Sequence, residues 1–100
     1  MSKGYWVANV DISNPDEYKK YVAANAVPFR KYCAKFLTRG GKSEMVEGKL
    51  RSRMVVLEFP SFEAALACYR SPEYAAAKKL REPASVADIV VLEGYDGTQP

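Results

Sequence analysis

Histidine is absent from the 100 residues of this sequence. Its absence excludes a haem held by a proximal histidine, a zinc site with histidine ligands, and catalysis by Ser-His-Asp or Cys-His groups. Proton transfer near neutral pH would need an Asp, Glu, Lys, Cys or Tyr side chain with a perturbed pKa. We therefore expect neither a metal nor another cofactor.

Cysteines and long apolar runs are also scarce. The two cysteines are Cys33 and Cys68, and because no secretory signal precedes them we expect both thiols to be reduced. The N-terminus lacks the apolar region of a signal peptide, and no segment reaches the ~20 apolar residues of a membrane span. The sequence predicts a soluble, cytoplasmic protein that does not bind membranes.

The remaining composition is typical of one folded domain. Hydrophobic residues make up 48% of the chain and charged residues 27%, which are ordinary values for a globular protein. We expect a single domain over residues 1–96 and a frayed tail over residues 97–100. Eight basic residues lie between Arg30 and Arg53, and such a cluster indicates either a solvated surface or an anion-binding one.

Residue periodicity predicts the element order βαββαβ. The first helical region begins at Pro15 and should kink or end near Asn25, because Pro28 cannot donate its backbone hydrogen bond. The second helical region breaks at Ser71. The predicted strands cover residues 5–12, 34–41, 52–59 and 87–95. This order predicts an α+β fold of the ferredoxin-like type, a four-stranded antiparallel sheet with the helices on one face.

The other face of that sheet is predicted to be too apolar to remain in water. Val7, Met54 and Val56 alternate onto it, and an apolar surface of this kind indicates a protein partner.

Arg39 and Glu58 are the candidate catalytic residues. Arg39 ends a strand before two glycines, which let the backbone bend and a ligand approach. Glu58 interrupts the most apolar strand, where an unpaired carboxylate is costly. Because their strands are neighbours, we expect the two side chains to meet. They then form either a structural ion pair, or a site in which Arg39 binds an anion and Glu58 transfers a proton.

Asn25, Tyr69, Ser71 and Tyr74 are the candidate ligand-binding residues. Asn25 lies on an apolar helical stripe, so it either caps backbone groups at the kink or hydrogen-bonds a ligand. Ser71 precedes proline and glutamate, which is the pattern of a helix N-cap. The two tyrosines are either core aromatics or hydroxyl groups at a pocket mouth.

Several segments together resemble a family of small bacterial proteins, the domain of unknown function 1330. They are KGYW at 3–6, FLTRGG at 36–41, VVLEFPSF at 55–62, CYRSPEYAAAKKLR at 68–81 and ADIVVLEGY at 87–95. The resemblance implies the dimeric α+β barrel superfamily, and hence a homodimer formed through the open sheet face. That superfamily includes cofactor-independent monooxygenases, muconolactone isomerases and haem enzymes, although its histidine-dependent haem branches do not fit this sequence.

Two functional classes therefore stay open, and the sequence does not decide whether the protein is an enzyme. The first is a dimer with one small-molecule pocket per protomer, a cofactor-independent oxidoreductase or isomerase for a compact anionic or phenolic substrate. The second is a non-catalytic ligand-binding or structural dimer. RNA binding is less favoured, because RNA-recognition motifs share this element order but SRMVVLEF lacks the glycine and most aromatics of their stacking strand.

Overall fold

The computed structural model describes residues 2–100 and contains one four-stranded antiparallel sheet. Its strands are β1 (Gly4–Ile12), β2 (Lys35–Arg39), β3 (Arg53–Phe59) and β4 (Ser85–Glu93), in the spatial order β2-β3-β1-β4. The helices are α1 (Pro15–Ala24), α2 (Ala26–Lys31), α3 (Phe62–Tyr69) and α4 (Pro72–Arg81), and a 3-10 turn at Glu82–Ala84 leads into β4. The predicted α+β arrangement is confirmed.

The first crossover consists of two helices that meet at Asn25. The side chain of Asn14 caps α1 by accepting a hydrogen bond from the backbone N–H of Glu17 at 3.2 Å. The helix α1 ends one residue before Asn25 and α2 begins one residue after it. The interruption predicted from Pro28 is therefore confirmed.

The second crossover breaks at Ser71, also as predicted. The Ser71 hydroxyl accepts from the backbone N–H of Tyr74 at 3.1 Å and donates to the carbonyl of Cys68 at 2.7 Å. Both polar functions of this buried hydroxyl are used at the break between α3 and α4. Ser71 is thus an N-cap, which fixes where α4 begins and which of its residues face the sheet.

Trp6 lies at the centre of the core between the sheet and the helices. Its indole N–H donates to the backbone carbonyl of Ala65 at 2.8 Å. Four aromatic rings surround it at centroid distances between 4.9 and 5.6 Å, namely Phe29, Phe59, Tyr69 and Tyr74. Three of the four meet it edge to face, which is a favourable aromatic geometry. The rings of Tyr69 and Tyr74 are therefore core aromatics.

The sheet face away from the helices carries apolar side chains. Val86, Val90 and Leu92 of β4 are exposed there, and Val7 and Val56 are half-buried. Within residues 2–100, no helix is long and apolar enough to cross a membrane.

An irregular arm over residues 40–52 joins β2 to β3, and Asn9 holds its end against the open sheet face. The Asn9 amide donates to the carbonyls of Arg51 and Arg53, each at 3.1 Å, and accepts from the Arg51 N–H at 2.6 Å. The Arg51 side chain forms ion pairs with Asp11 at 3.1 Å and with Asp88 at 2.9 Å. These bonds fix the point at which β3 starts.

Candidate functional site

A small cavity lies between the helices and the core face of the sheet. Its volume is about 30 Å³, enough for about two water-sized molecules. Most of its wall is aromatic or aliphatic, including Trp6, Tyr18, Phe29, Phe36 and Leu57. The wall also includes Arg39, whose side chain is exposed, so the cavity opens toward the end of β2.

Three guanidinium groups line this cavity, and each lies over an aromatic ring. The distances from Cζ to the ring centroid are 4.0 Å for Arg39 over Phe36, 5.8 Å for Arg53 over Tyr18 and 5.9 Å for Arg81 over Tyr21. The Arg39 guanidinium contacts its ring, whereas the other two lie near the outer limit of a cation–π interaction. The face of a ring attracts a guanidinium without accepting from the N–H groups at its edge.

Two of these arginines have buried donors without an acceptor. Arg81 is only 7% exposed, and none of the four salt bridges within residues 2–100 involves it. The Nε atoms of Arg53 and Arg81 are both buried without a hydrogen-bond partner in the described chain. A buried cation without a counter-ion is costly. Such groups on a cavity wall indicate an anion-binding site.

Tyr21 and Tyr74 add a buried pair of hydroxyl groups, 2.8 Å apart. Burial, and then the neighbouring Tyr74, raise the pKa of Tyr21. Burial also raises the pKa of Tyr74, an effect that the Tyr21 hydrogen bond and the Arg81 guanidinium partly oppose. Both phenols are therefore protonated at neutral pH. Tyr21 is part of the cavity wall.

The predicted meeting of Arg39 and Glu58 is wrong. In the β2–β3 register Arg39 lies opposite Val55, and Lys35 lies opposite Glu58. Arg39 therefore shares the core face with Val55, whereas Glu58 lies on the open face opposite Tyr5 of β1.

The strand register is the physical reason: Glu58 pairs with the first residue of β2, whereas Arg39 is the last, about four residues further along. A β-bulge between Phe36 and Thr38 then also changes the face on which Arg39 lies. With an unbroken register, Arg39 would lie opposite Met54 on the open face. The extra residue shifts the pairing by one position, and a shift of one residue transfers the following side chains to the other face. The bulge thus moves Arg39 to the cavity and away from Glu58.

The four predicted ligand-binding residues occupy different places. Asn25 is buried, lines the cavity, and makes no side-chain hydrogen bond as a helix cap. Tyr74 does not line the cavity itself, but its hydroxyl is hydrogen-bonded to that of Tyr21, which does. Tyr69 lines a separate surface depression, where the Lys78 ammonium lies 5.5 Å from its ring. Ser71 uses its hydroxyl as the α4 cap.

Three wall residues that bear donors at the candidate site were not predicted from the sequence: Tyr21, Arg53 and Arg81. A signal exists for two of them. Tyr21 lies midway between Tyr18 and Asn25 at helical spacing, and Arg81 lies four residues after the buried Ala77, so both fall on inward stripes.

Gly40 provides the space for the Arg53 guanidinium. Its φ is +69°, a conformation that side chains other than glycine rarely adopt. A Cβ atom at this position would overlap Nη1 of Arg53. The lack of a side chain at Gly40 therefore leaves room for the Arg53 guanidinium at the site.

The fold and the cavity define a ferredoxin-like α+β protein with a small arginine-lined site. The chain belongs to the family described as Domain of unknown function (DUF1330), whose family model matches residues 3–95. The predicted family is therefore confirmed. None of the curated proteins compared with the chain matches it.

Several solved structures have the same fold. A protein of unknown function from Rhodopseudomonas palustris is 21% identical with a TM-score of 0.71, over 99% of this chain and 85% of that one. SnoaB, a cofactor-independent oxygenase from Streptomyces nogalater, is 14% identical with a TM-score of 0.64, over 100% and 99%. A dimeric ferredoxin-like protein of unknown function from Thermobifida fusca is 15% identical with a TM-score of 0.59, over 92% and 89%.

Gly40→Ala should destabilise the protein by about 1–3 kcal/mol, because it combines an unfavourable backbone conformation with overlap at Arg53. Urea denaturation measures the free energy of unfolding. Gly48→Ala is the matched control, since Gly48 also has a positive φ of +82° but has open space around it. Equal losses in the two variants would show that the Arg53 guanidinium is not held firmly beside Gly40.

Proposed function

We propose that this protein binds a compact organic anion in the cavity between the helices and the sheet. The observation that carries the proposal is the pair of buried Nε–H donors on Arg53 and Arg81 that lack an acceptor in the described chain. An unsatisfied buried donor costs about 1–3 kcal/mol, and more when it is charged. A carboxylate or phenolate would accept from both groups and neutralise the charge.

The remaining polar groups lie at different depths in the site. Arg39 is exposed at the mouth, where its charge attracts anions from solvent. Asn25 is buried deeper in the wall and can both donate and accept. The aromatic and aliphatic walls contact the apolar part of the ligand, as in most small-molecule sites.

The walls are better suited to stabilising an anion than to moving a proton. None of the lining side chains is Asp, Glu, Lys or Cys, and the raised pKa of Tyr21 makes it a poor base at neutral pH. Glu58, proposed from the sequence as the proton-transfer group, lies on the other sheet face of the protomer. An isomerase that shuttles a proton needs such a base.

Among the enzymatic functions, we therefore favour a cofactor-independent oxidoreductase whose substrate reacts as an already ionised enolate or phenolate. Guanidinium and phenol donors stabilise that kind of charge. The similarity in fold to SnoaB, a cofactor-independent oxygenase, supports this choice by analogy. A ligand-binding protein without catalysis is the alternative that the same walls permit.

We also propose a homodimer that buries the open sheet face. Val7 and Val90 of this face line one surface depression together with Leu50 of the arm, and Met45 and Val46 of the arm are exposed as well. Clustered exposed apolar side chains indicate a protein interface. The similar Thermobifida fusca protein is described as dimeric. Two copies of this face would bury each other's apolar side chains.

Arg81→Met should stabilise the ligand-free protein by about 1–4 kcal/mol, because it replaces a buried unpaired charge with an apolar chain of similar length. Urea denaturation measures this change. In thermal unfolding, acetate or benzoate should raise the Tm of the wild-type protein but not that of the variant.

Arg70→Met is the control for this experiment, since Arg70 is exposed at the end of α3. It should leave both the stability and the anion response unchanged. A loss of stability in Arg81→Met with a full anion response would contradict the proposal.

Val90→Glu should convert the dimer to a monomer of the 11.1 kDa chain mass, because it places a carboxylate in the buried apolar interface. Sedimentation equilibrium gives the mass. Val27→Glu makes the same change on α2, where the valine is 57% exposed compared with 48% for Val90. It should remain dimeric. A dimer that survives Val90→Glu would place the interface elsewhere.

A further inference from the structure

The hydroxyl pair of Tyr21 and Tyr74 has two O–H groups but only one hydrogen bond between them. Each hydroxyl contributes one O–H, and the only acceptor of either O–H within residues 2–100 is the oxygen of the other tyrosine. Arg81 lies beside the Tyr74 hydroxyl, but a guanidinium can only donate. One O–H of the pair is therefore left to donate elsewhere.

The position of Arg81 determines which hydroxyl has the spare proton. A guanidinium beside the Tyr74 oxygen favours a lone pair on that side, so the Tyr74 proton is directed to the Tyr21 oxygen. The Tyr21 proton is then free. Because Tyr21 lines the cavity and Tyr74 does not, the free O–H donates into the cavity.

Three residues of the cavity wall, Tyr21, Arg53 and Arg81, therefore each have one donor without an acceptor within residues 2–100. An acceptor for all three needs several lone pairs within a few atoms. An ionised carboxylate offers about four lone-pair sites on two oxygens.

The small volume of the cavity favours the smallest of the candidate head groups. About 30 Å³ fits the three heavy atoms of a planar carboxylate more easily than the four or five of a tetrahedral phosphonate or phosphate group. The rest of such a ligand would extend toward the mouth, beside Phe36 and the Arg39 guanidinium that lies over it.

We infer that the ligand is a compact carboxylic acid, bound in its ionised form, with a carboxylate oxygen that accepts a hydrogen bond from Tyr21. This inference rests on the proposed anion-binding function. Arg53 and Arg81 neutralise the head group, and Tyr74 is a positioning residue that orients the Tyr21 proton.

Calorimetric titration with three matched probes tests the inference. Benzoate is planar and charged, benzamide is planar and neutral, and phenylphosphonate is tetrahedral and charged. Benzoate should bind at least about tenfold more tightly than either of the others, because it alone combines charge with planar shape. Acetate and methylphosphonate repeat the comparison of shape without the ring.

Tyr21→Phe should weaken benzoate binding by about 10- to 100-fold, the usual effect of losing a hydrogen bond to a charged group. Tyr74→Phe should weaken it less, because only the orientation of the Tyr21 proton is lost. Tyr32→Phe is the control, since Tyr32 lies at the end of α2 and does not line the cavity. Its affinity for benzoate should equal that of the wild type.

The outcomes separate this inference from the proposed function. If both phosphonates bind as tightly as the carboxylates and Arg81→Met abolishes that binding, the anion site stands and the planar carboxylate is wrong. If Tyr21→Phe keeps the wild-type affinity for benzoate and acetate, the role of Tyr21 is wrong. If no probe shows binding that depends on Arg81, the proposed function itself is wrong.

Discussion

A buried guanidinium without a carboxylate partner is the constraint on which the candidate site depends. Arg81 is held by its cation–π interaction with Tyr21 and by its place on α4, whose start Ser71 fixes. An unpaired buried charge lowers the stability of the ligand-free fold. The presence of an unpaired Arg81 in so small a domain is explained if an anionic ligand is its counter-ion. A ligand that binds only the folded state also stabilises that state.

Backbone irregularities bring the other two arginines to the same cavity. The bulge in β2 transfers Arg39 to the core face, and the positive φ of Gly40 leaves room for Arg53. Asn9, on the opposite face, holds the Arg53 carbonyl and so fixes the start of β3. The chemistry of the cavity thus depends on bonds made on both faces of the sheet, including the face that we propose is buried in a dimer.

Local signals predicted the fold because each was strong by itself: proline and capping residues marked the helices, and alternation marked the strands. The site was only partly predictable. Arg39 was identified as an anion-binding candidate, but its predicted partner was wrong because residue types do not give the strand register, which places Lys35 opposite Glu58. Arg81 was missed, although its helical spacing pointed inward, because a charged residue at the end of a helix normally lies in solvent.

Crystallography with 4-bromobenzoate tests the central claim most directly, since anomalous scattering locates the bromine and the electron density locates the carboxylate. We expect a carboxylate within hydrogen-bond distance of Tyr21 and of the Nε atoms of Arg53 and Arg81. We also expect a bromine toward Arg39 at the mouth. A crystal at saturating 4-bromobenzoate with an empty cavity, or with the ligand bound only elsewhere, would contradict the central claim.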